Sequence, residues 1–141
     1  MLQKVNFDQF KDLYLMEEQR IASFRSWPFD KNTACNIAKM AEAGFYWNGN
    51  EHDNDTVTCF VCGKTLDGWE SNDDPWKEHA KHAPQCLFVK YSKNENDITV
   101  DEFLNIFKEV IQNHMIKKTE NAKKKVLSMT RNEFSAFLEK K

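Results

Sequence analysis

The chain has 141 residues, 20 Lys+Arg against 22 Asp+Glu for a formal net charge of -2, and 40% hydrophobic and 13% aromatic content. This suffices for one compact domain plus an appendage and excludes a disordered chain, while the balanced charge argues against a protein that coats nucleic acid by bulk attraction. Residues 1–10 hold no continuous apolar run of the signal-peptide kind, and nothing approaches the roughly 20 apolar residues that cross a bilayer. The expectation is a soluble intracellular protein with reduced thiols, in which four cysteines point to metal before disulfide.

In chain order, Phe7 to Phe24 and Ala34 to Ala43 read as short helices, the second stopped by Gly44, a residue suited to the positive φ of a position just past a helix end. Phe45-Tyr46-Trp47 and Thr56 to Val61 are aromatic and β-branched runs on either side of the polar loop Asn48 to Asp55, and they predict two antiparallel strands. Asp74 and Pro75 then predict a helix start, with Asp74 as N-cap and Pro75 in the first helical position. All four Gly and all three Pro precede residue 85, so a boundary is expected near residues 90–98. Residues 1–90 hold 10 Lys+Arg against 14 Asp+Glu, and residues 91–141 hold 10 against 8, so the tail is the more basic part.

In the tail, Val100, Phe103, Leu104, Phe107, Val110, Ile111 and Met115 repeat at helical spacing, with Thr99 and Glu102 predicting a capping box. After a polar break at Lys117 to Asn121 the stripe resumes with Ala122, Val126, Met129, Phe134, Phe137 and Leu138; if unbroken, this helix runs about 40 residues and about 60 Å at roughly 1.5 Å per residue. Its first turns, Val100 to Phe107, can fold back on the domain; apolar positions farther out call for another chain. Lys117, Lys118, Lys123, Lys124 and Lys125 read first as the exposed face of this helix, and in a sharper reading as a contact to DNA or an acidic nucleosome surface.

Cys59-x2-Cys62-x16-His79-x6-Cys86 supplies three thiolates and one imidazole, a set that fills a tetrahedral zinc shell and leaves no position for a reacting water. One structural Zn2+ and no enzymatic activity follow. A zinc deaminase would need an H-x-E arrangement, which His79-Ala80-Lys81 lacks, and no second Cys/His cluster suggests a RING. Gly63, directly after the second Cys, fits a knuckle whose amides turn toward sulfur. Cys35 stands outside this set and reads as a small buried apolar residue.

These residues, with Arg20-Ile21-Ala22-Ser23-Phe24, Trp27-Pro28-Phe29, Met40 to Phe45, Gly68-Trp69 and Asp74-Pro75-Trp76, resemble the BIR domain of the inhibitor-of-apoptosis family over about residues 15–90. The resemblance implies an α+β fold, short helices around a small three-stranded antiparallel sheet stapled by zinc, followed by a long C-terminal α-helix. The implied organisation is an N-terminal segment 1–14 available for a dimer contact, the BIR domain 15–90, a linker 91–98 and the helix 99–139. One BIR followed directly by a long helix is similar to the family members that serve the chromosomal passenger complex.

In BIRs that bind Smac-like peptides, a Trp stands three residues after the ligand His; here that position is His82. In the chromosomal members a His there, with a Lys matching Lys64, contacts a phosphothreonine near the amino terminus of histone H3. The segment Lys64 to Asp73, held at both ends by zinc ligands, then implies a peptide groove of Lys64, Leu66, Asp67, Trp69, Asp73, Trp76 and His82: carboxylates for a free α-amino group, Trp69 as a wall, Lys64 and His82 for the phosphate. Without the resemblance, Asp67, Glu70, Asp73 and Asp74 would be a solvated acidic loop and Trp69 a core residue. The resemblance further implies borealin- and INCENP-like partners for the tail helix, indirect attachment to Aurora B kinase, and residence in the nucleus, at chromosomes, centromere and spindle midzone in mitosis, and in the cytoplasm. A homodimer through Phe7, Phe10 and the first helix turns is the other implied use of that surface, and restraint of cell death through Smac-like peptides or caspases is the alternative function. The Thr-Pro phosphorylation site of the chromosomal members is Asn36-Ile37 here.

Overall fold

A computed structural model describes residues 7–129 and 131–139; the side chains of residues 7–9, 131, 134 and 137 lie outside that description, and with them the contacts expected of Phe7, Phe134 and Phe137. The chain forms two compact units, one ending at Val110 and the other beginning at Ile111. In the first unit the order is a 3-10 turn over Phe7–Leu13, helix α1 (Glu17–Ser23), α2 (Ile37–Glu42), strands β1 (Phe45–Trp47), β2 (Val57–Cys59) and β3 (Thr65–Leu66), then α3 (Pro75–His82), α4 (Leu87–Tyr91), a 3-10 turn at Glu95–Asp97 and the start of α5 (Val100–Ser128). The second unit holds the rest of α5 and α6 (Arg131–Glu139).

The sheet is antiparallel in the order β1-β2-β3, with Phe45 opposite Cys59 and Thr58 opposite Thr65. The Thr58 and Thr65 hydroxyls meet at 2.9 Å across the ladder. The third strand is only two residues long, too short to carry a periodic signal of its own.

The helix expected over Phe7 to Phe24 is in fact two pieces. Tyr14, at φ 52°, breaks it, and its ring lies flat on Tyr46 of β1 at 4.0 Å between centroids. A stacking contact with the sheet overrides local propensity. The Ala34 to Ala43 helix begins later, at Ile37, because the Asn36 side chain accepts from Lys39 N at 2.9 Å and caps it. Gly44 follows at φ 99°, as its sequence position predicts.

Arg20 ties α1 to the core. It is 1% exposed; its Nε donates to the Ala41 carbonyl at 2.9 Å and its Nη1 to the Tyr14 and Leu15 carbonyls at 3.0 and 3.2 Å. The guanidinium carbon lies 4.3 Å from the Phe60 ring centre. Burial lowers its pKa to about 10, with Glu95 and Glu17 opposing the fall, so it stays charged at neutral pH.

The capping box at α5 forms as read: Glu102 Oε1 accepts Thr99 N at 3.0 Å, and Thr99 Oγ1 accepts Glu102 N at 3.2 Å. The face that packs is rotated from the expected one. Ile106 (1% exposed) and Val110 (4%) are buried and Phe107 meets Phe10 edge-on at 5.7 Å, whereas Val100 and Leu104 stay exposed. Nor is the tail a single unbroken helix. At the end of α5 the Ser128 hydroxyl donates to the Lys125 carbonyl at 2.8 Å and Met129 N donates three residues back to the Val126 carbonyl at 3.1 Å, tightening the turn before α6. Lys117, Lys118, Lys123, Lys124 and Lys125 are all exposed. Among the described residues, no helix is long and apolar enough to cross a membrane.

Candidate metal centre and adjoining cleft

The four expected ligands converge from three places. Cys59 ends β2, Cys62 lies in the knuckle after it, His79 projects from α3, and Cys86 precedes α4. Gly63 turns the knuckle at φ 74°, Gly63 N bonds the Cys59 carbonyl at 3.0 Å, and Val61 N points at Cys59 Sγ at 3.4 Å. Gly63 thus supplies the turn expected of it, and the amide that points at sulfur is that of Val61.

Whether zinc fits can be judged from spacing. Zn–S bonds of about 2.3 Å at the tetrahedral angle put two sulfurs about 3.8 Å apart. Cys59 Sγ and Cys86 Sγ are 3.8 Å apart, Cys62 Sγ and His79 Nε2 are 3.7 Å apart, and all four donor atoms lie within 4.8 Å of one another. The tautomer fits too. His79 Nδ1 is 2.8 Å from the Ala43 carbonyl, which can only accept, so Nδ1 carries a proton and Nε2 is the ring nitrogen left to face the thiols and serve as a ligand.

As bare side chains Cys59, Cys62 and His79 are mismatched. Burial holds the Cys59 thiol well above the ordinary value, with its Cys62 and Cys86 neighbours adding to the rise, while hydrogen bonds from Cys59 and Cys86 pull Cys62 far below it. Burial would lower His79, but bonding to Cys62 and Cys86 outweighs it and brings the imidazole to about 9. A divalent cation removes the conflict by making thiolate the favoured form at all three sulfurs. The set accommodates one structural zinc ion, which supplies cross-linking and leaves no open position.

Beside the centre lies a cleft of about 210 Å³ lined by Lys64, Thr65, Leu66, Asp67, Gly68, Trp69, Asp73, Glu78 and His82. Six of the seven residues named for a groove from sequence thus border one cavity. Trp76 is the exception. It lies three residues before His79 on α3, so the two share a face, and its ring stacks on Phe88 at 5.2 Å. Glu78 and His82, four apart on another face, border the cleft with His82 Nε2 3.4 Å from Glu78 Oε2. Trp69 is 7% exposed and packs edge-on against Phe45 and Trp27, so it contributes a narrow strip of wall.

Two contributors to the cleft escaped the sequence reading. Glu78 was open to discovery, being four residues before His82 on a helix with a clear start. Asp55 lies in the loop before β2 and carries no local signal, yet its Oδ2 accepts both Gly68 N at 2.9 Å and Trp69 N at 3.1 Å. Cys35 is fully buried with its Sγ 3.2 Å from the Glu70 carbonyl, as a small core residue should be.

Comparison with known proteins decides the family. The model of the BIR, or Inhibitor of Apoptosis, domain matches residues 20–90, a span containing all four ligands and every residue of the cleft. The chain belongs to the inhibitor-of-apoptosis BIR family. It is 42% identical over 116 residues to the Baculoviral IAP repeat-containing protein 5 of Mus musculus, covering 82% of each chain. The protein of that name from Cavia porcellus is 41% identical over 118 residues, 84% of this chain and 82% of its own. Baculoviral IAP repeat-containing protein 5.2 of Xenopus tropicalis is 44% identical over 87 residues, 62% of this chain and 56% of that one. The likeness to single-BIR, survivin-type members therefore extends beyond the BIR domain into the tail, and with it stand the three-stranded sheet, the long C-terminal helix and the Cys3His zinc set.

Proposed function

We propose that this BIR-family chain is a non-enzymatic adaptor whose cleft reads the threonine-phosphorylated amino terminus of histone H3, and whose tail helix attaches that reader to borealin- and INCENP-like subunits that target Aurora B kinase in mitosis. The observation that carries the reading is one cleft that brings the Lys64 ammonium and the His82 ring together with the Asp67 and Asp73 carboxylates. A peptide beginning with a free amine and carrying a phosphate two residues on presents the complementary pair. Asp73 Oδ2 already accepts Glu70 N at 2.8 Å, which orients that carboxylate and leaves its other oxygen for the ligand amine. Glu78 beside His82 is a competitor that the phosphate must displace.

For the tail, support comes from apolar side chains left exposed on its helices, among them Leu104, Met115, Ile116, Val126, Leu127 and Leu138. Partner helices would cover them, which fits a bundle in a nuclear, chromosome-bound complex. The first turns of α5, where Phe107 already packs edge-on against Phe10 of the same chain, would be the surface of a homodimer instead. A zinc shell filled by four protein ligands fits an adaptor and gives no site for catalysis.

The test is calorimetric titration with three peptides: Ala-Arg-phosphothreonine-Lys at the amino terminus, its unphosphorylated form and its N-acetylated form. The phosphorylated, free-amine peptide binds most tightly. Equal affinity for all three refutes the groove, and loss on acetylation without any phosphate effect assigns it to Smac-like peptides and an anti-apoptotic role.

A further inference from the structure

The cleft wall from Asp67 to Glu70 has no regular secondary structure of its own, so something outside it must set its path. Three consecutive backbone amides are held by carboxylates. Gly68 N and Trp69 N go to Asp55 Oδ2, and Glu70 N goes to Asp73 Oδ2. Asp73 lies on the wall's own segment, while Asp55 comes from the β1–β2 loop thirteen residues before Gly68.

That loop is itself fixed. Trp47 Nε1 donates to the Asn54 carbonyl at 2.8 Å, and Asn50 Oδ1 accepts His52 N and Asp53 N, both at 2.8 Å. Asn48 N closes its neck on the Thr56 carbonyl at 3.1 Å. Asp55 is therefore delivered from a braced support. Gly68 takes φ 70°, a left-handed conformation that glycine accepts, where the Asp55 carboxylate grips the chain between the two wall residues Asp67 and Trp69.

We propose that Asp55 is a positioning residue for the recognition cleft: it touches no ligand, and by holding the Gly68 and Trp69 amides it fixes Asp67 and Trp69 where the peptide amine and first side chain must sit. The proposal rests on the peptide-groove reading above. A wall left to fluctuate must be ordered when ligand binds, and that cost appears as lost affinity. The effect falls on the amine end, so it is the same for phosphorylated and unphosphorylated peptides.

The experiment uses the full zinc-loaded chain and its Asp55→Ala and Asp55→Asn variants. Without peptide, hydrogen exchange at the Gly68 and Trp69 amides quickens about tenfold or more in Asp55→Ala, while the Ala83 amide, bonded to the His79 carbonyl in α3, does not change. Affinity for the Ala-Arg-phosphothreonine-Lys peptide and for its unphosphorylated form falls about tenfold in each case. Asp55→Asn keeps an oxygen that can accept both amides and restores exchange and affinity to within about threefold.

Unchanged exchange in Asp55→Ala overturns the proposal, as does faster exchange with unchanged affinity. Equal loss of affinity in Asp55→Asn with its amides still protected would make the charge, not the position, the active property. Loss of zinc or of the thermal transition in Asp55→Ala would make Asp55 a general fold residue and overturn it too. If the unmodified chain binds neither peptide, the groove reading itself is what fails.

Discussion

Gly44 shows how much can rest on one missing methyl. Its backbone sits at φ 99°, and an added Cβ would stand 2.9 Å from Phe88 Cδ1 and 3.1 Å from Cε1, in a ring that is itself buried. Gly44→Ala therefore combines left-handed strain with overpacking and costs about 2–4 kcal/mol in chemical denaturation; a change under about 0.5 kcal/mol would contradict the packing. Arg20 is the other such residue. Lys in its place keeps the charge but cannot fork to three carbonyls, so Arg20→Lys loses about 1–3 kcal/mol by the same measurement. Sequence placed Arg20 in a family motif without assigning it a role, because a buried guanidinium is recognised only by the carbonyls around it.

At the level of elements, the helix starts at Asp74 and Thr99 were legible, while those of the two earlier helices and the packing faces were not. Asp74 accepts Trp76 N and Lys77 N, and the Thr99–Glu102 box closes, since both signals are complete within four residues. Removing the Thr99 hydroxyl in Thr99→Ala costs about 1 kcal/mol, read as faster amide exchange in the first turn of α5. The box is also pH-dependent. The backbone bond to Thr99 and then Lys93, at 2.9 Å, hold the Glu102 carboxyl below its ordinary 4.5. An acid with a lowered folded pKa contributes stability above the ordinary value and loses it as pH falls through the folded one. Protection of the first α5 turn should accordingly fade below about pH 4.5, and Glu102→Gln should remove that pH dependence. The periodicity of residues 100–115 gave a helix, yet Ile106 is buried while Leu104 is exposed, because which side of a broad apolar stripe meets the domain depends on the surface it meets.

For the whole molecule the zinc centre sets the terms. Structural zinc contributes about 10 kcal/mol or more to folding at pH 7, comparable to the whole stability of a domain this small. Chelation at neutral pH should abolish the cooperative thermal transition of the zinc domain, and Cys62→Ala should do the same; a Cys62→Ala chain that melts sharply without zinc would contradict the assignment. The cleft depends on the same ion, because Lys64 follows Cys62 by two residues and Glu78 and His82 ride on the helix that carries His79.

By itself the sequence determined the metal centre. Four ligands at fixed spacing carry their chemistry in residue type, and a tetrahedral ion accepts few other arrangements. It also determined the helix caps at Asp74 and Thr99, which are local, and its family motifs named six residues that border the cleft. The tertiary structure decided what depends on packing between distant segments: that Trp76 turns to Phe88 rather than the cleft, that Tyr14 breaks a helix to stack on Tyr46, and that Asp55 reaches across thirteen residues to hold the wall beside Trp69. Such contacts are set by which surfaces face one another once the zinc has drawn the chain together, and no local pattern of residues encodes that.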